Sequence, residues 1–189
     1  MSEEAIQKDQ NKGGKYLTFR LGGEEYGLEI LKVREIIGLM DITVVPRTPS
    51  HVRGVINLRG KIIPVLDLRV KFGMPSVENT EETCIIVVEV HKNEESVEMG
   101  ILVDKVSEVL DIKSEDIEDA PSFGSGFDVT FILGMAKAED SVKILLNIDA
   151  VLQGDEIVQM NAVSTTADTE AQPVPAPAEA EEKPEPAEV

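Results

Sequence analysis

The chain has 189 residues, and its 18 basic against 36 acidic side chains give a formal net charge of −18. Nucleic-acid binding needs clustered Lys and Arg, so this balance argues against nucleic acid, and equally against an anionic membrane surface, as a partner. The longest apolar run, residues 84–88, has five residues, whereas a membrane-spanning helix needs about 20. We therefore expect no membrane insertion.

The N-terminus and the cysteine content indicate the compartment. Residues 1–4 carry two glutamates and no cation, whereas a signal peptide begins with basic residues followed by an apolar stretch. The single cysteine, Cys84, excludes an internal disulfide and a four-cysteine zinc site. Together these features predict a cytoplasmic protein.

Composition divides the chain into three segments. Residues 1–14 are polar, end in two glycines and are expected to form a flexible lead-in. Residues 162–189 contain five Pro, seven Ala, no Ile, Leu or aromatic residue, and seven acidic groups against one Lys. So little apolar surface cannot offset the entropy of ordering, and we expect a disordered acidic Pro/Ala-rich tail. Residues 15–161 are long enough to bury a stable core and form the predicted domain.

The pattern within this domain is mainly that of β-strands. A two-residue link, Gly22-Gly23, joins strand-like runs at 16–21 and 24–28, which predicts a hairpin. Segment 29–38 fits a helical period as well as a turn that leads into a strand. Turn residues recur at roughly eight- to twelve-residue intervals, which predicts an all-β sandwich or barrel. The remaining strand-like runs are 55–58, 61–66, 83–90, 97–103, 106–112, 129–135 and 142–146.

The sequence contains one internal repeat. Residues 61–67 resemble residues 143–149 at a constant offset of 82. In each copy a strand leads into an Asp placed to cap a short helix, at 68–72 and at 150–153. Two similar β subdomains would explain the repeat, and the alternative is that any strand-to-helix junction has this pattern.

No residues are arranged as a catalytic or metal centre. His51 and His91 lack metal-ligand spacing, Cys84 lies in an apolar strand that favours an inert buried thiol, and the acidic run 115–119 lacks the spacing of a calcium loop. Neither a GxSxG nor a GxxxxGK[ST] motif occurs. We therefore predict a non-enzymatic binding protein without metal or cofactor. The alternative is a small-ligand enzyme built on a β-barrel.

One segment has the features of a binding site. In residues 54–60 two glycines bracket a strand, which indicates close backbone approach at Gly54 and a tight turn at Gly60. The strand-like runs 55–58 and 61–66 flank Arg59-Gly60, which is a second hairpin candidate. Arg59 would stand at the end of that hairpin, where its guanidinium can bind a partner carboxylate. The physical alternative is a turn arginine that serves solubility alone.

The same segment resembles a known family. Residues 54–69, GVINLRGKIIPVLDLR, are similar to the motif of the CheW-like domain family of bacterial chemotaxis coupling proteins. The resemblance continues in order through residues 25–36, 100–110 and 144–149, and so covers about residues 15–160. It implies an all-β fold of two five-stranded SH3-like β-barrel subdomains around a shared apolar core, with residues 34–38 on a strand.

The resemblance also implies a function. Such proteins are non-enzymatic adaptors that join the cytoplasmic tip of methyl-accepting chemotaxis receptors to the regulatory domain of the histidine kinase CheA. They act in membrane-associated arrays that control motility, and a related alternative is a pathway with a non-flagellar output. Carried over residue by residue, the receptor-facing positions are Val33, Glu35, Arg59 and Val109, and the kinase-facing positions are Thr43, Gly54 and Leu58.

Overall fold

A computed structural model describes residues 12–92, 95–121, 129–138 and 141–152. The predicted tail at 162–189 and all but the last three residues of the predicted lead-in lie outside these ranges. None of the helices described there is long and apolar enough to cross a bilayer.

The described residues form eleven strands, two short α-helices and two 3-10 turns, the latter at Ile30–Lys32 and Ser114–Asp116. Segment 29–38 is thus a 3-10 turn followed by a strand. The strand expected from residue 129 begins three residues later, because Ile132 N–H closes a turn onto the Val129 carbonyl at 2.9 Å. The elements are β1 (Gly14–Leu21), β2 (Glu24–Glu29), β3 (Val33–Gly38), β4 (Val52–Leu58), β5 (Lys61–Asp67), α1 (Leu68–Lys71), β6 (Cys84–Lys92), β7 (Glu95–Val103), β8 (Lys105–Ile112), β9 (Ile117–Glu118), β10 (Ile132–Ala138), β11 (Ser141–Leu146) and α2 (Ile148–Val151).

The strands form two sheets, and the strands of the second sheet follow one another without interruption in the chain. The first sheet has the order β8-β1-β2-β11-β10-β9 and the second the order β3-β6-β7-β5-β4. The hairpins expected at Gly22-Gly23 and Arg59-Gly60 are confirmed as the antiparallel pairs β1–β2 and β4–β5. Because the second sheet is inserted between β2 and β8 of the first, the chain crosses between the sheets twice.

The two sheets repeat one arrangement of strands. In the first sheet β11 runs parallel to β2 with Leu145 opposite Gly27, and in the second β5 runs parallel to β7 with Val65 opposite Gly100. The offset that relates β11 to β5 is therefore 80 residues, not the 82 predicted. The internal repeat is real, but its register differs from the one that the sequence suggested.

The helix caps explain this difference. The Asp67 side chain accepts N–H groups at the start of α1, as predicted, whereas the start of α2 is capped by Asn147. The prediction that Asp149 caps the second helix is wrong, because α2 begins at Ile148 and Asp149 lies inside its first turn. An amide oxygen fills this role as well as a carboxylate does.

The described residues form three apolar clusters, one shared by both sheets and one inside each sheet. Successive side chains of a strand point to opposite faces, so Ile86 and Val88 of β6 enter a core shared by both sheets, while Ile85 and Val87 enter the interior of the second sheet. The first sheet encloses a smaller cluster of its own around Tyr16. The shared core expected from the sequence is thus confirmed.

Candidate partner-binding surface

The β4–β5 hairpin turn presents Arg59 in an unusual backbone conformation. Leu58 pairs with Lys61, so Arg59 and Gly60 alone form the turn, and their φ angles are 53° and 86°. The Gly60 N–H donates to Asn57 Oδ1 at 2.8 Å, which supports the turn. A left-handed conformation costs a non-glycine residue about 1 kcal/mol. The local fold would favour Asn or Gly at position 59.

The Arg59 guanidinium forms a two-pronged ion pair with Glu35. Nη1 donates to Oε1 at 2.8 Å and Nη2 to Oε2 at 2.7 Å. Glu35 lies on β3 and Arg59 follows β4, and these are the two outer strands of the second sheet. The ion pair therefore joins the two edges of that sheet, as expected where a sheet curls towards a barrel.

This pair stays charged and remains open to solvent. The hydrogen bonds from Arg59 lower the pKa of the Glu35 carboxyl, and those to Glu35 raise the pKa of the Arg59 guanidinium. The Arg59 side chain is 74% exposed and that of Glu35 is 28% exposed. Two of the five guanidinium donors are used, so the pair offers a partner the remaining donors together with a fixed orientation.

The two predicted receptor-facing valines lie on different sheets. Val33 is half-buried on β3 and packs against the shared core, whereas Val109 on β8 is 48% exposed. Both β3 and β8 are outer strands, one at an edge of each sheet. The structure therefore brings Glu35 and Arg59 into direct contact, and it places each valine on an equivalent edge strand.

Two exposed apolar residues that the sequence reasoning missed extend this surface. Ile36 lies opposite Ile86 in the second sheet, and Val109 lies opposite Leu17 at the corresponding place in the first. Ile36 and Val109 are exposed to a similar degree. Leu31, in the 3-10 turn before β3, is 92% exposed. No local signal distinguishes these residues from core residues. Ile36 is exposed on an edge strand and Leu31 on the turn that precedes that strand, and strand order is set only in the assembled sheet.

The predicted close approach at Gly54 is confirmed, and the neighbour is this chain's own Thr43. A Cβ at Gly54 would lie 2.1 Å from the Thr43 carbonyl oxygen. Thr43 and Val55 exchange two backbone hydrogen bonds of 2.8 and 2.9 Å, which attach residue 43 to β4. Gly54 is itself buried, whereas Thr43 is exposed. Leu58, the third predicted kinase-facing residue, packs partly against the second-sheet core.

The described residues offer no alternative centre of metal chemistry. Within them, no three His, Cys, Asp or Glu side chains are grouped closely enough to hold a metal ion. Burial raises the pKa of the half-buried Cys84 thiol, which disfavours the reactive thiolate.

Comparison with known proteins identifies close relatives. The family model described as "CheW-like domain" matches residues 15–156. "Chemotaxis protein CheW" of Klebsiella aerogenes is 38% identical over 152 residues, covering 80% of this chain and 89% of that protein. The protein of the same name from Rhizobium meliloti is 36% identical over 146 residues, covering 77% of this chain and 92% of that protein.

A solved structure agrees with these matches. The scaffolding protein TtCheW from Thermoanaerobacter tengcongensis is 35% identical, with a TM-score of 0.67, over 76% of this chain and 95% of that one. The predicted fold of two SH3-like subdomains is thereby confirmed. The first sheet has a sixth, two-residue strand, β9, beyond the five expected.

Proposed function

Because the chain belongs to the CheW-like domain family and is a chemotaxis scaffolding protein rather than an enzyme, we propose that it couples receptors to a kinase. The receptors are methyl-accepting chemotaxis receptors, bound at their cytoplasmic tips, and the kinase is the histidine kinase CheA, bound at its regulatory domain. The protein is then cytoplasmic and recruited to membrane-associated arrays that control motility.

The observation that carries this proposal is the exposed Glu35–Arg59 pair on a strained turn. The left-handed conformation of Arg59 costs folding free energy, and an ion pair this exposed contributes too little stability to offset that cost. A residue that is unfavourable for folding and held in one orientation is typical of a binding site. Covered by a partner, the pair would lose its solvent screening and gain in strength.

In this proposal the two partners bind different parts of the surface. Val33 and Val109 supply apolar contacts for a receptor helix, and Glu35 and Arg59 orient that helix through polar groups. Thr43 and Leu58, held in place by the packing at Gly54, face the kinase. The two assignments predict separable losses of binding.

Titration of Arg59→Ala against receptor and kinase fragments tests the assignment. We expect receptor affinity to fall about 30-fold or more, as when one partner of a desolvated interfacial charge pair is truncated. The melting temperature should barely change, because the pair is exposed.

Lys137→Ala is the matched control, because Lys137 and Glu118 form an exposed ion pair that includes none of the predicted receptor-facing or kinase-facing residues. Arg69 is unsuitable as a control, because its side chain is only 14% exposed and is paired with Asp104. Wild-type affinity of Arg59→Ala for the receptor fragment would contradict the site assignment, whatever its affinity for the kinase fragment. Failure of the unaltered chain to co-sediment with receptor and kinase would contradict the function itself.

The output of the pathway needs a cellular assay. Deletion of the gene should abolish chemotactic swimming if the pathway controls flagella. A defect confined to surface motility or development would instead assign the protein to a chemosensory pathway with a non-flagellar output.

A further inference from the structure

Two polar clusters outside this surface join the two sheets. In the first, Arg69 of α1 forms an ion pair with Asp104, the residue between β7 and β8. The Asp104 carboxylate also accepts the N–H of Gly22 at 2.8 Å, and the Asp104 N–H donates to the Arg20 carbonyl at 3.1 Å. Since α1 follows the second sheet and Gly22 belongs to the β1–β2 turn of the first, Asp104 ties the sheets together where β8 begins.

The second cluster is built in the same way around Asp149. One carboxylate oxygen of Asp149, in α2, lies 2.6 Å from Nζ of Lys32, the residue that immediately precedes β3. The other accepts the N–H of His91, on β6, at 3.0 Å, and Lys32 Nζ lies 3.4 Å from His91 Nδ1. Since α2 follows the first sheet and β6 belongs to the second, Asp149 ties the sheets together where β3 begins.

The two clusters occupy equivalent positions in the repeated fold. Asp149 follows Arg69 by 80 residues, the offset that relates β11 to β5. His91 follows Gly22 by 69 residues, the offset that relates β6 to β1, since Val87 and Thr18 each pair with the glycine of the next strand.

The sign of the charges is reversed between the two clusters. The helix supplies the cation in one, Arg69, and the anion in the other, Asp149. The four ion-paired side chains are only 14–28% exposed, so salt screens them less than surface charges. Both places thus have a carboxylate that pairs with a cation and accepts a backbone N–H, although the helix supplies the cation in one and the carboxylate in the other. What the two places share is the connection between the sheets.

We propose that these two ion pairs are latches that fix β3 and β8 relative to each other, so that a partner meets both edge strands in one geometry. The Lys32–Asp149 latch holds the start of the strand that carries Val33 and Glu35. The Arg69–Asp104 latch holds the start of the strand that carries Val109. Asp104 and Asp149 are thus positioning residues for the receptor-facing surface. The functional half of this inference rests on the proposed function, whereas the structural half does not.

The test is an inter-strand distance measurement with a binding titration. Spin labels at Ile36 on β3 and Asp111 on β8, in a Cys84→Ser background, report the separation of the two strands. The variant Asp104→Asn with Asp149→Asn removes both charges but keeps an oxygen that accepts the Gly22 and His91 N–H groups. We expect the distance distribution to broaden or shift. In the unlabelled variant, receptor affinity should fall at least about tenfold while thermal unfolding stays cooperative.

Two further variants make the result specific. Lys137→Gln breaks an ion pair within the first sheet, between β10 and β9, and should leave distances and affinity unchanged. Lys32→Arg keeps the latch charge and should also behave like the wild type. If the double variant does not fold, Lys32→Gln, which leaves both carboxylates and their backbone hydrogen bonds in place, is measured in the same way.

The possible outcomes separate the two halves of the inference. Unchanged distances in the double variant would overturn the latches, whatever happens to binding. Changed distances with wild-type receptor affinity would overturn the positioning role. If the wild-type chain does not bind the receptor fragment at all, the proposed function fails, and the distances still decide whether the latches exist.

Discussion

A methyl group at Gly54 tests how the second sheet holds residue 43. The Gly54 φ angle is 138°, and a Cβ there would lie 2.1 Å from the Thr43 carbonyl oxygen, 2.8 Å from its carbonyl carbon and 3.0 Å from Ile42 Cγ2. The two atoms nearest to the added methyl belong to the backbone, so no side-chain rotation relieves the contact. Gly54→Ala must therefore displace residues 42–43 from β4.

The cost follows from two contributions. The φ value disfavours alanine by about 1–2 kcal/mol. Displacement of residue 43 breaks its two backbone hydrogen bonds with Val55, at about 1 kcal/mol each. We expect the free energy of unfolding to fall by about 3–4 kcal/mol, a large part of the roughly 5–15 kcal/mol that stabilises a typical domain.

Urea denaturation of three glycine variants separates these contributions. Gly60 has a φ of 86° with no atom within 4 Å of an added Cβ, so Gly60→Ala isolates the backbone cost, about 1 kcal/mol. Gly134, which follows Gly54 by the repeat offset of 80, has Ile117 Cγ2 at 2.6 Å from an added Cβ and no left-handed φ. Gly134→Ala therefore isolates the close contact, at about 1–3 kcal/mol.

Hydrogen exchange then locates the damage. The Thr43 and Val55 amides should lose protection in Gly54→Ala and keep it in Gly60→Ala. A Gly54→Ala variant as stable as Gly60→Ala would refute the reasoning, because the approach of residue 43 would then contribute nothing. A kinase-binding defect in a Gly54 variant with normal Thr43 protection would instead indicate direct contact with the kinase.

Two other predictions concern buried groups. The Lys143 side chain is 4% exposed and pairs with Glu25 between β2 and β11. Lys143→Ala should therefore lower the free energy of unfolding by about 3 kcal/mol. The exposed control, Lys137→Ala, should lower it by less than about 1 kcal/mol. Wild-type stability of Lys143→Ala in urea denaturation would contradict this. Burial, and secondarily the charge of Glu29, raises the pKa of Tyr16 to about 12, and burial raises the pKa of Tyr26. A folded-state pKa above the unfolded value of about 10 means that the tyrosine hydroxyl loses its proton at lower pH in the unfolded chain than in the folded one. The folded state is therefore destabilised as the pH rises from about 10 to about 12. Phenolate absorbance should accompany alkaline unfolding, and titration near pH 10 in the folded protein would argue against burial.

Much of the fold is encoded within a few residues of sequence. The Gly22-Gly23 and Arg59-Gly60 turns both contain a glycine with a left-handed backbone angle, Gly22 and Gly60, and both hairpins form where these pairs occur. Apolar runs such as residues 84–88 predict buried strands, and β6 is an inner strand of the second sheet. The four blocks of family resemblance indicated the two-subdomain fold as a whole.

The tertiary structure alone decided which distant groups meet. Glu35 and Arg59, separated by 24 residues, pair because the second sheet brings its two edges together. Asp149 resembles a helix cap in the sequence, but α2 begins at Ile148, so Asn147 caps the helix and Asp149 binds Lys32 across the sheets. Turn chemistry and side-chain alternation act between neighbours in the chain, so the sequence displays them. Strand order and the ion pairs between strands depend on contacts that exist only once the sheets have assembled.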